Sequence, residues 1–120
     1  MQSEKLTNSL SDRLLDFAAN IMKLVSKLSK TYSGRHVSGQ LFRSSTSAGA
    51  NYEEACGAES RADFVHKLQV VLKELKESRY WLLLAKKSEL LKNSDLDPLI
   101  QEVGELSKII AKSVVTAKKK

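Results

Sequence analysis

The chain has 120 residues, with 20 basic and 14 acidic side chains, a formal net charge of +6 and one cysteine. A chain of this length buries roughly two-thirds of its unfolded surface, so it needs neither a disulfide nor a metal to fold. No apolar run reaches the roughly 18 residues of a membrane span. A lone cysteine cannot form an internal disulfide, which suits a reducing compartment. We therefore predict one cytoplasmic domain over residues 1–120 that does not contact a membrane.

The first half of the chain contains two amphipathic segments. In the first, from about residue 11 to 31, apolar residues recur at three- and four-residue spacing, as along one face of a helix. Residues 32–39 (YSGRHVSG) are typical of a turn, and a second helix is predicted over about residues 36–56. The buried face of that helix consists mostly of small residues, which indicates that another helix approaches it closely. Gly57 follows it, where a left-handed residue often ends a helix.

The second half contains two further helical segments. The third helix, about residues 61–87, begins after Ser60, which with Asp63 resembles a capping box. The fourth, about residues 98–116, begins at Pro98, a residue suited to the first turn of a helix, with Asp97 as its cap. Short connections join antiparallel neighbours, so the predicted fold is all-α, an antiparallel up-down-up-down four-helix bundle.

Two polar faces flank the predicted core. Helix 2 places four polar residues within roughly an 80° arc: Arg43, Ser47, Asn51 and Glu54. A comparable arc of helix 3 contains Asp63, Lys67, Val70, Glu74, Glu77 and Trp81. A guanidinium matches a partly buried carboxylate, so we predict that Arg43 pairs with Glu74 or Glu77, in the same or a neighbouring chain. The alternatives are two solvated faces with ordinary ion pairs or a ligand site.

No pattern in the sequence indicates catalysis, a metal or a cofactor. Di-iron bundles need Glu-x-x-His on two helices, whereas Asp63-x-x-His66 occurs once and His36 lies near a predicted turn. Neither a Ser-His-Asp signature nor a glycine-rich phosphate loop is present. Cys56 is interpreted as a small apolar filler. We predict no catalytic residue, no metal ligand and no cofactor.

Basic and aromatic residues admit two interpretations each. The candidate contacts for a nucleic-acid phosphate stripe are Lys23, Lys27, Lys30, Lys118, Lys119 and Lys120. The alternative is a solvated helix face and a frayed tail, which the acidic residues interleaved through helices 3 and 4 favour. Tyr80 and Trp81 are typical of core or interface anchors; base stacking needs their exposure, and no aromatic platform is evident.

Two strings in helices 2 and 3 resemble a known family. RSSTSAGANYEEA (residues 43–55) and DFVHKLQVVLKELKESRYWLLL (residues 63–84) are similar to the bacterial four helix bundle proteins, the 23S ribosomal RNA intervening-sequence proteins. The shared pattern includes Gly-Ala-Asn-Tyr in the first string and two glutamates three apart, followed by Tyr-Trp-Leu, in the second. The resemblance implies a homopentameric bundle. It also implies a relation to accessory proteins of diversity-generating retroelements, which bind nucleic acid and a reverse transcriptase.

The favoured function is therefore a non-enzymatic homo-oligomer, a pentamer, that associates with RNA or DNA. Its expected partners are further copies of itself, a nucleic acid, and a reverse transcriptase or another protein. The alternative is an oligomeric scaffold for protein–protein interactions with no nucleic-acid role, in which the basic charge serves only solubility.

Overall fold

A computed structural model of the protein describes the backbone of residues 2–119 and the side chains of residues 10–119. It contains four helices and, within that range, no strand: α1 (Gln2–Leu28), α2 (Tyr32–Cys56), α3 (Arg61–Lys87) and α4 (Asn93–Lys119). Each helix packs against its neighbours along the chain, and α1 also packs against α4. The bundle measures 46 × 25 × 19 Å. The predicted all-α four-helix bundle is confirmed.

The core lies along the bundle axis, where every helix contributes one apolar face. Phe17 of α1, Leu41 of α2, Leu75 of α3 and Leu106 of α4 are almost fully buried. The small residues of α2 lie against both neighbouring helices, and their pattern had predicted a close helix contact: Gly49 lies beside Leu14 of α1, and Ser44 faces α3. There the hydroxyls of Ser44 and Ser78, both buried, are 2.7 Å apart. A direct hydrogen bond between such short side chains requires the two helix backbones to lie close together.

The first connection differs from the prediction because a glycine allows a tight backbone contact. Helix α1 ends at Leu28 and α2 begins at Tyr32, so the segment predicted as a turn is helical. Thr31 caps α2, its hydroxyl oxygen accepting a hydrogen bond from the Gly34 amide at 3.0 Å. A Cβ atom at Gly34 would lie 1.8 Å from the Leu28 carbonyl oxygen. Gly34 therefore allows the backbone of α2 to approach the end of α1 closely, and it does not mark a turn as predicted.

The start of α4 also differs from the prediction. The helix begins at Asn93, which places Pro98 inside it, so Asp97 is not its cap. Fully buried Leu96 explains the earlier start, because it extends the apolar face one turn before Leu99. Pro98 removes one backbone donor to the carbonyl of exposed Ser94, where water can replace it. Helix α1 likewise begins well before residue 11, at Gln2.

The ends of α2 and α3 follow different capping rules. The Ser60 hydroxyl accepts a hydrogen bond from the Asp63 amide at 3.1 Å, which confirms the predicted cap of α3. Gly57, by contrast, has φ −98°, so the prediction of a left-handed residue there was wrong. The left-handed residue is Glu89, with φ 57°. Its amide and that of Leu90 bond back to the last turn of α3, as in a Schellman motif.

Candidate functional site

The α2–α3 seam is the polar surface formed by Arg43, Ser47, Asn51, Glu54, Glu74, Glu77 and Trp81. At its centre the Arg43 guanidinium donates hydrogen bonds from one nitrogen to both Glu74 oxygens, at 3.1 and 3.3 Å. Its other terminal nitrogen donates to Glu77. Glu74 is only 7% exposed. The predicted pairing of Arg43 with a carboxylate of α3 is confirmed. Arg43 pairs with both Glu74 and Glu77, and all three residues belong to the same chain.

Glu77 joins the ion pair to the indole ring. The Trp81 ring nitrogen donates a hydrogen bond to the Glu77 carboxylate at 3.1 Å. Hydrogen bonds from Arg43, and then from Trp81, hold the pKa of Glu77 below its usual value. In turn, the hydrogen bonds to Glu77 and Glu74 raise the pKa of Arg43. Among the described side chains, no buried polar atom lacks a hydrogen-bond partner. The centre of the seam is therefore a satisfied structural cluster that needs no neighbouring subunit to complete it.

The remaining seam residues do not form one continuous line between the helices. Lys67 of α3 pairs with Glu54 of α2 at 2.7 Å. Asn51 donates its hydrogen bonds back to Ser47, to the carbonyl at 2.9 Å and to the hydroxyl at 3.1 Å, so both residues bond along α2 rather than across to α3. The structure thus brings Arg43, Glu74, Glu77 and Trp81 together, and leaves Ser47 and Asn51 outside that group.

An aromatic cluster adjoins the seam, and sequence reasoning missed it. The Trp81 ring lies edge-on to His36, with centroids 5.6 Å apart, and to Tyr80, with centroids 5.1 Å apart. Tyr80 is 58% exposed and Trp81 is half-buried. The prediction placed His36 beside a turn; once α2 is known to begin at Tyr32, His36 lies on the helix one turn from the start. Residues 32 and 36 are one turn apart on a helix, but that spacing is informative only once the start of α2 at Tyr32 is known.

The six lysines predicted as nucleic-acid contacts do not lie together. Lys27 pairs with Asp95 at the start of α4, at 3.3 Å, whereas Lys118 and Lys119 lie at the other end of that helix. A helix of 27 residues is about 40 Å long. Lys23, Lys27 and Lys30 are therefore separated from the tail by nearly the length of the bundle, and Lys120 lies outside the described residues.

The positive charge is concentrated where the α1–α2 and α3–α4 connections lie, which we call the basic end. Residues 23–35 and 86–97 contain seven basic and three acidic side chains there. The opposite end, residues 10–16, 53–67 and 108–119, contains seven basic and six acidic ones. Five basic residues at the basic end are in no ion pair of the described part of the chain: Lys23, Lys30, Arg35, Lys87 and Lys92.

The basic end also has a concave surface. A shallow cavity of about 580 Å³ lies between the two connections, and Lys27, Lys30 and Lys92 are among the residues that line it. The acidic groups there are partly neutralised, since Lys27 pairs with Asp95 and, nearby, Lys86 pairs with Asp97 at 2.7 Å. Glu89, which also lines the cavity, is in no ion pair of the described part of the chain, but the excess of basic residues still favours an anion at this end.

An apolar groove lies on a different face, between α1 and α2. It has a volume of about 530 Å³ and small residues along it, including Gly49 and Ala50. Two large apolar side chains beside it are exposed, Leu15 by 68% and Met22 by 53%. The sequence predicts a core stripe on α1 that does not include them: Leu14, Phe17, Ala18, Ile21, Val25 and Leu28. The sequence does indicate this groove, in the apolar pairs Leu14–Leu15 and Ile21–Met22. The first member of each pair is buried in the core, and the second members lie together on the neighbouring, exposed face of α1.

Chemistry-bearing side chains elsewhere are not grouped. Within residues 10–119, no three histidine, cysteine, aspartate or glutamate side chains lie close enough to hold a metal ion. Cys56 is exposed, so its interpretation as a buried filler was wrong; it follows Ala55, which takes the core position instead. Burial, with a smaller contribution from the Cys56 thiol, raises the pKa of Tyr52 to about 12. No helix in the described part of the chain is long and apolar enough to cross a membrane.

These features define the protein's class as a four-helix bundle whose polar centre is structural and whose distinctive surfaces are a basic end, an aromatic cluster and an apolar groove. The chain belongs to the 23S rRNA-intervening sequence protein family, whose model matches residues 8–112. The predicted resemblance is thereby confirmed, and the match indicates no enzymatic family.

A solved structure supports the same assignment. The chain is 35% identical to a protein of unknown function from the S23 ribosomal protein family of Bacteroides thetaiotaomicron. The alignment covers 88% of this chain and 97% of the other, with a TM-score of 0.82. No curated protein gives a significant match.

Proposed function

We propose that this protein is a homo-oligomeric helical bundle that associates with nucleic acid through its basic end. The observation that carries the proposal is the uneven charge: seven basic against three acidic side chains in residues 23–35 and 86–97. A nucleic acid binds such a surface because its phosphates release condensed counterions when lysine and arginine replace them. The family's connection with 23S rRNA intervening sequences agrees with a nucleic-acid partner.

Self-association would strengthen this binding by placing several basic ends in one particle. The α1–α2 groove supports it, because its exposed Leu15 and Met22 lie beside the acidic residues Asp12 and Glu53. On a second copy, the outer face of α4 exposes apolar and basic side chains, which complement the apolar and acidic side chains of the groove. That face exposes two apolar and two basic side chains, Ile109, Val115, Lys108 and Lys112. It also exposes Glu105, whose carboxylate lies 3.8 Å from the Arg13 guanidinium.

A contact between two different faces is heterologous, and such contacts close into rings when the rotation between subunits permits. We infer a cyclic assembly on this basis, and the pentamer implied by the family resemblance is the number that we propose.

Fluorescence anisotropy with labelled RNA and DNA tests the nucleic-acid part of the proposal. The affinity is expected to be micromolar and to fall steeply from about 50 to 200 mM salt, since each phosphate contact adds about −0.9 to the log–log slope for duplex and about −0.7 for single strands. The absence of binding to either nucleic acid at 50 mM salt would reject this function.

The second candidate function is an oligomeric protein scaffold, which the apolar groove favours. Under that function the assembly forms, but the particle does not retain RNA or DNA even at low salt. The same titration therefore separates the two, provided that the mass of the particle is measured in the same buffer.

A further inference from the structure

The exposed aromatic residues near the basic end form one surface, which the proposed function does not yet use. Tyr80 is 58% exposed, and its ring meets Trp81 edge-on at an interplanar angle of 77°, so the two rings are not stacked on one another. His36 meets Trp81 in the same edge-on way. Tyr32 lies one turn before His36 on α2 and is 85% exposed. We call these four residues the aromatic surface.

Unpaired basic residues border the aromatic surface. On α3, Lys76 lies one turn before Tyr80 and Arg79 is adjacent to it, while on α2 Arg35 is adjacent to His36. All three are exposed and form no ion pair within the described residues. The nearest carboxylate, that of Glu77, is held by Arg43 and by the Trp81 ring nitrogen.

We propose that the aromatic surface binds single-stranded nucleic acid, with a base stacked on exposed Tyr80 beside Trp81 and phosphates on the neighbouring lysine and arginine residues. This inference rests on the proposed function and adds the class of ligand. A flat aromatic ring can stack on the face of any base. In a duplex those faces are covered by neighbouring base pairs, so the surface favours a single strand.

The composition of the surface argues against a protein as the occupant. Protein–protein interfaces are depleted in lysine, whereas Lys76 and Lys87 lie on the same face of α3 as Tyr80. Exposed Leu83 and Leu84 also lie on this face, where they can contact a base as well as a protein. A polyanion with planar groups satisfies both the charged and the aromatic side chains. An apolar protein helix would satisfy only the aromatic ones and would leave the lysines to be desolvated.

Trp81 is the only tryptophan of the chain, so its fluorescence reports on this surface alone. The test titrates the protein, at about 100 mM salt, with an unstructured 20-nucleotide RNA, the DNA of the same sequence, and the corresponding DNA duplex. We expect both single strands to quench Trp81 and to bind more tightly than the duplex. The RNA and DNA arms show whether the sugar matters, since only RNA offers a 2′-hydroxyl.

A matched pair of variants completes the test. Tyr80→Ala should weaken single-strand binding at least about fivefold, which is the lower end of what one base–aromatic stack contributes, without changing the salt slope. Phe42→Ala removes another exposed aromatic ring, 45% exposed against 58% for Tyr80, from the groove side of α2 and should leave the affinity unchanged. Circular dichroism and particle mass confirm that both variants fold and assemble as the wild type does.

The outcomes distinguish this inference from the function on which it rests. Equal binding of duplex and single strand with unquenched Trp81, or unchanged binding by Tyr80→Ala, overturns the stacking inference and leaves the basic end as the nucleic-acid site. No binding of any of the three probes at low salt rejects the proposed function itself.

Discussion

The α-carbon of Gly34 lies so close to Leu28 that a Cβ atom there would be 1.8 Å from the Leu28 carbonyl oxygen. This contact joins the last turn of α1 to the first turn of α2, which Thr31 caps, so it limits how the two helices reverse direction. Tyr32 lies on the first turn of α2 and His36 lies one turn later. Both residues therefore take their positions from the contact between Gly34 and Leu28. The aromatic surface therefore depends on a glycine that lies outside it.

Gly34→Ala is expected to destabilise the protein strongly, by about 3 kcal/mol, because the added methyl group meets backbone rather than a flexible side chain. Gly39→Ala, on the same helix, is the matched control. Nothing lies within 4 Å of a Cβ atom there, so alanine should stabilise the helix by up to about 1 kcal/mol. Urea unfolding measures both. Equal effects of the two substitutions would contradict the packing described for Gly34.

Arg43→Ala should cost about 2 kcal/mol. This value lies between those of exposed and buried ion pairs, because Glu74 is buried while Arg43 is half-exposed. Combining it with Glu74→Gln should recover part of the loss, since a neutral amide is cheaper to bury than an unpaired carboxylate. Lys86→Ala is the control: Lys86 pairs with Asp97 at 2.7 Å where the two side chains are 40% and 51% exposed, and its loss should cost 1 kcal/mol at most. If Arg43→Ala changed the free energy of unfolding by only a few tenths of a kcal/mol, the seam would contribute no more than an exposed ion pair, which would contradict the prediction.

The acid dependence of stability should report on Glu77. Its pKa in the folded protein is lowered by Arg43 and Trp81, so its contribution is present above the unfolded value of about 4.5 and is lost as the pH falls through the folded value. Wild type should therefore be more stable than Glu77→Gln at pH 7, and the difference should narrow below pH 4.5. Thermal unfolding from pH 7 to pH 3 measures the difference, and a constant gap would show that the carboxylate charge is not involved.

Periodicity was sufficient to predict the bundle, because each helix has one apolar face that only another helix can cover. Arg43, Glu74 and Glu77 were also predictable, since they flank that face and have opposite charges. The start of α2 was not, because serine and glycine are poor helix formers and the contact of Gly34 with Leu28 exists only in three dimensions. The separation of Lys23 from Lys118 follows from the antiparallel order of α1 and α4 and was already implied by the predicted topology.

Light scattering at micromolar concentration should give a mass of several chains, close to five times 13.4 kDa. Met22→Glu in the groove and Val115→Glu on α4 should each shift the particle towards the monomer, because a charge would have to be buried in the heterologous contact. Leu84→Glu, an exposed position of α3, adds the same charge outside that contact and should not. A monomeric wild type, or dissociation by Leu84→Glu alone, would contradict the proposed assembly.

The central claim, that nucleic acid binds at the basic end, is tested most directly by the salt dependence of binding in two variants that each lose three charges. Changing Lys23, Lys30 and Lys92 together to glutamine removes three unpaired charges from the basic end and should flatten the log–log slope by about 2 to 3. Changing Lys118, Lys119 and Lys120 to glutamine also removes three charges, of which Lys118 and Lys119 lie at the opposite end, and should leave the slope near that of the wild type. Equal flattening by both variants, or flattening by the tail variant alone, would contradict the account.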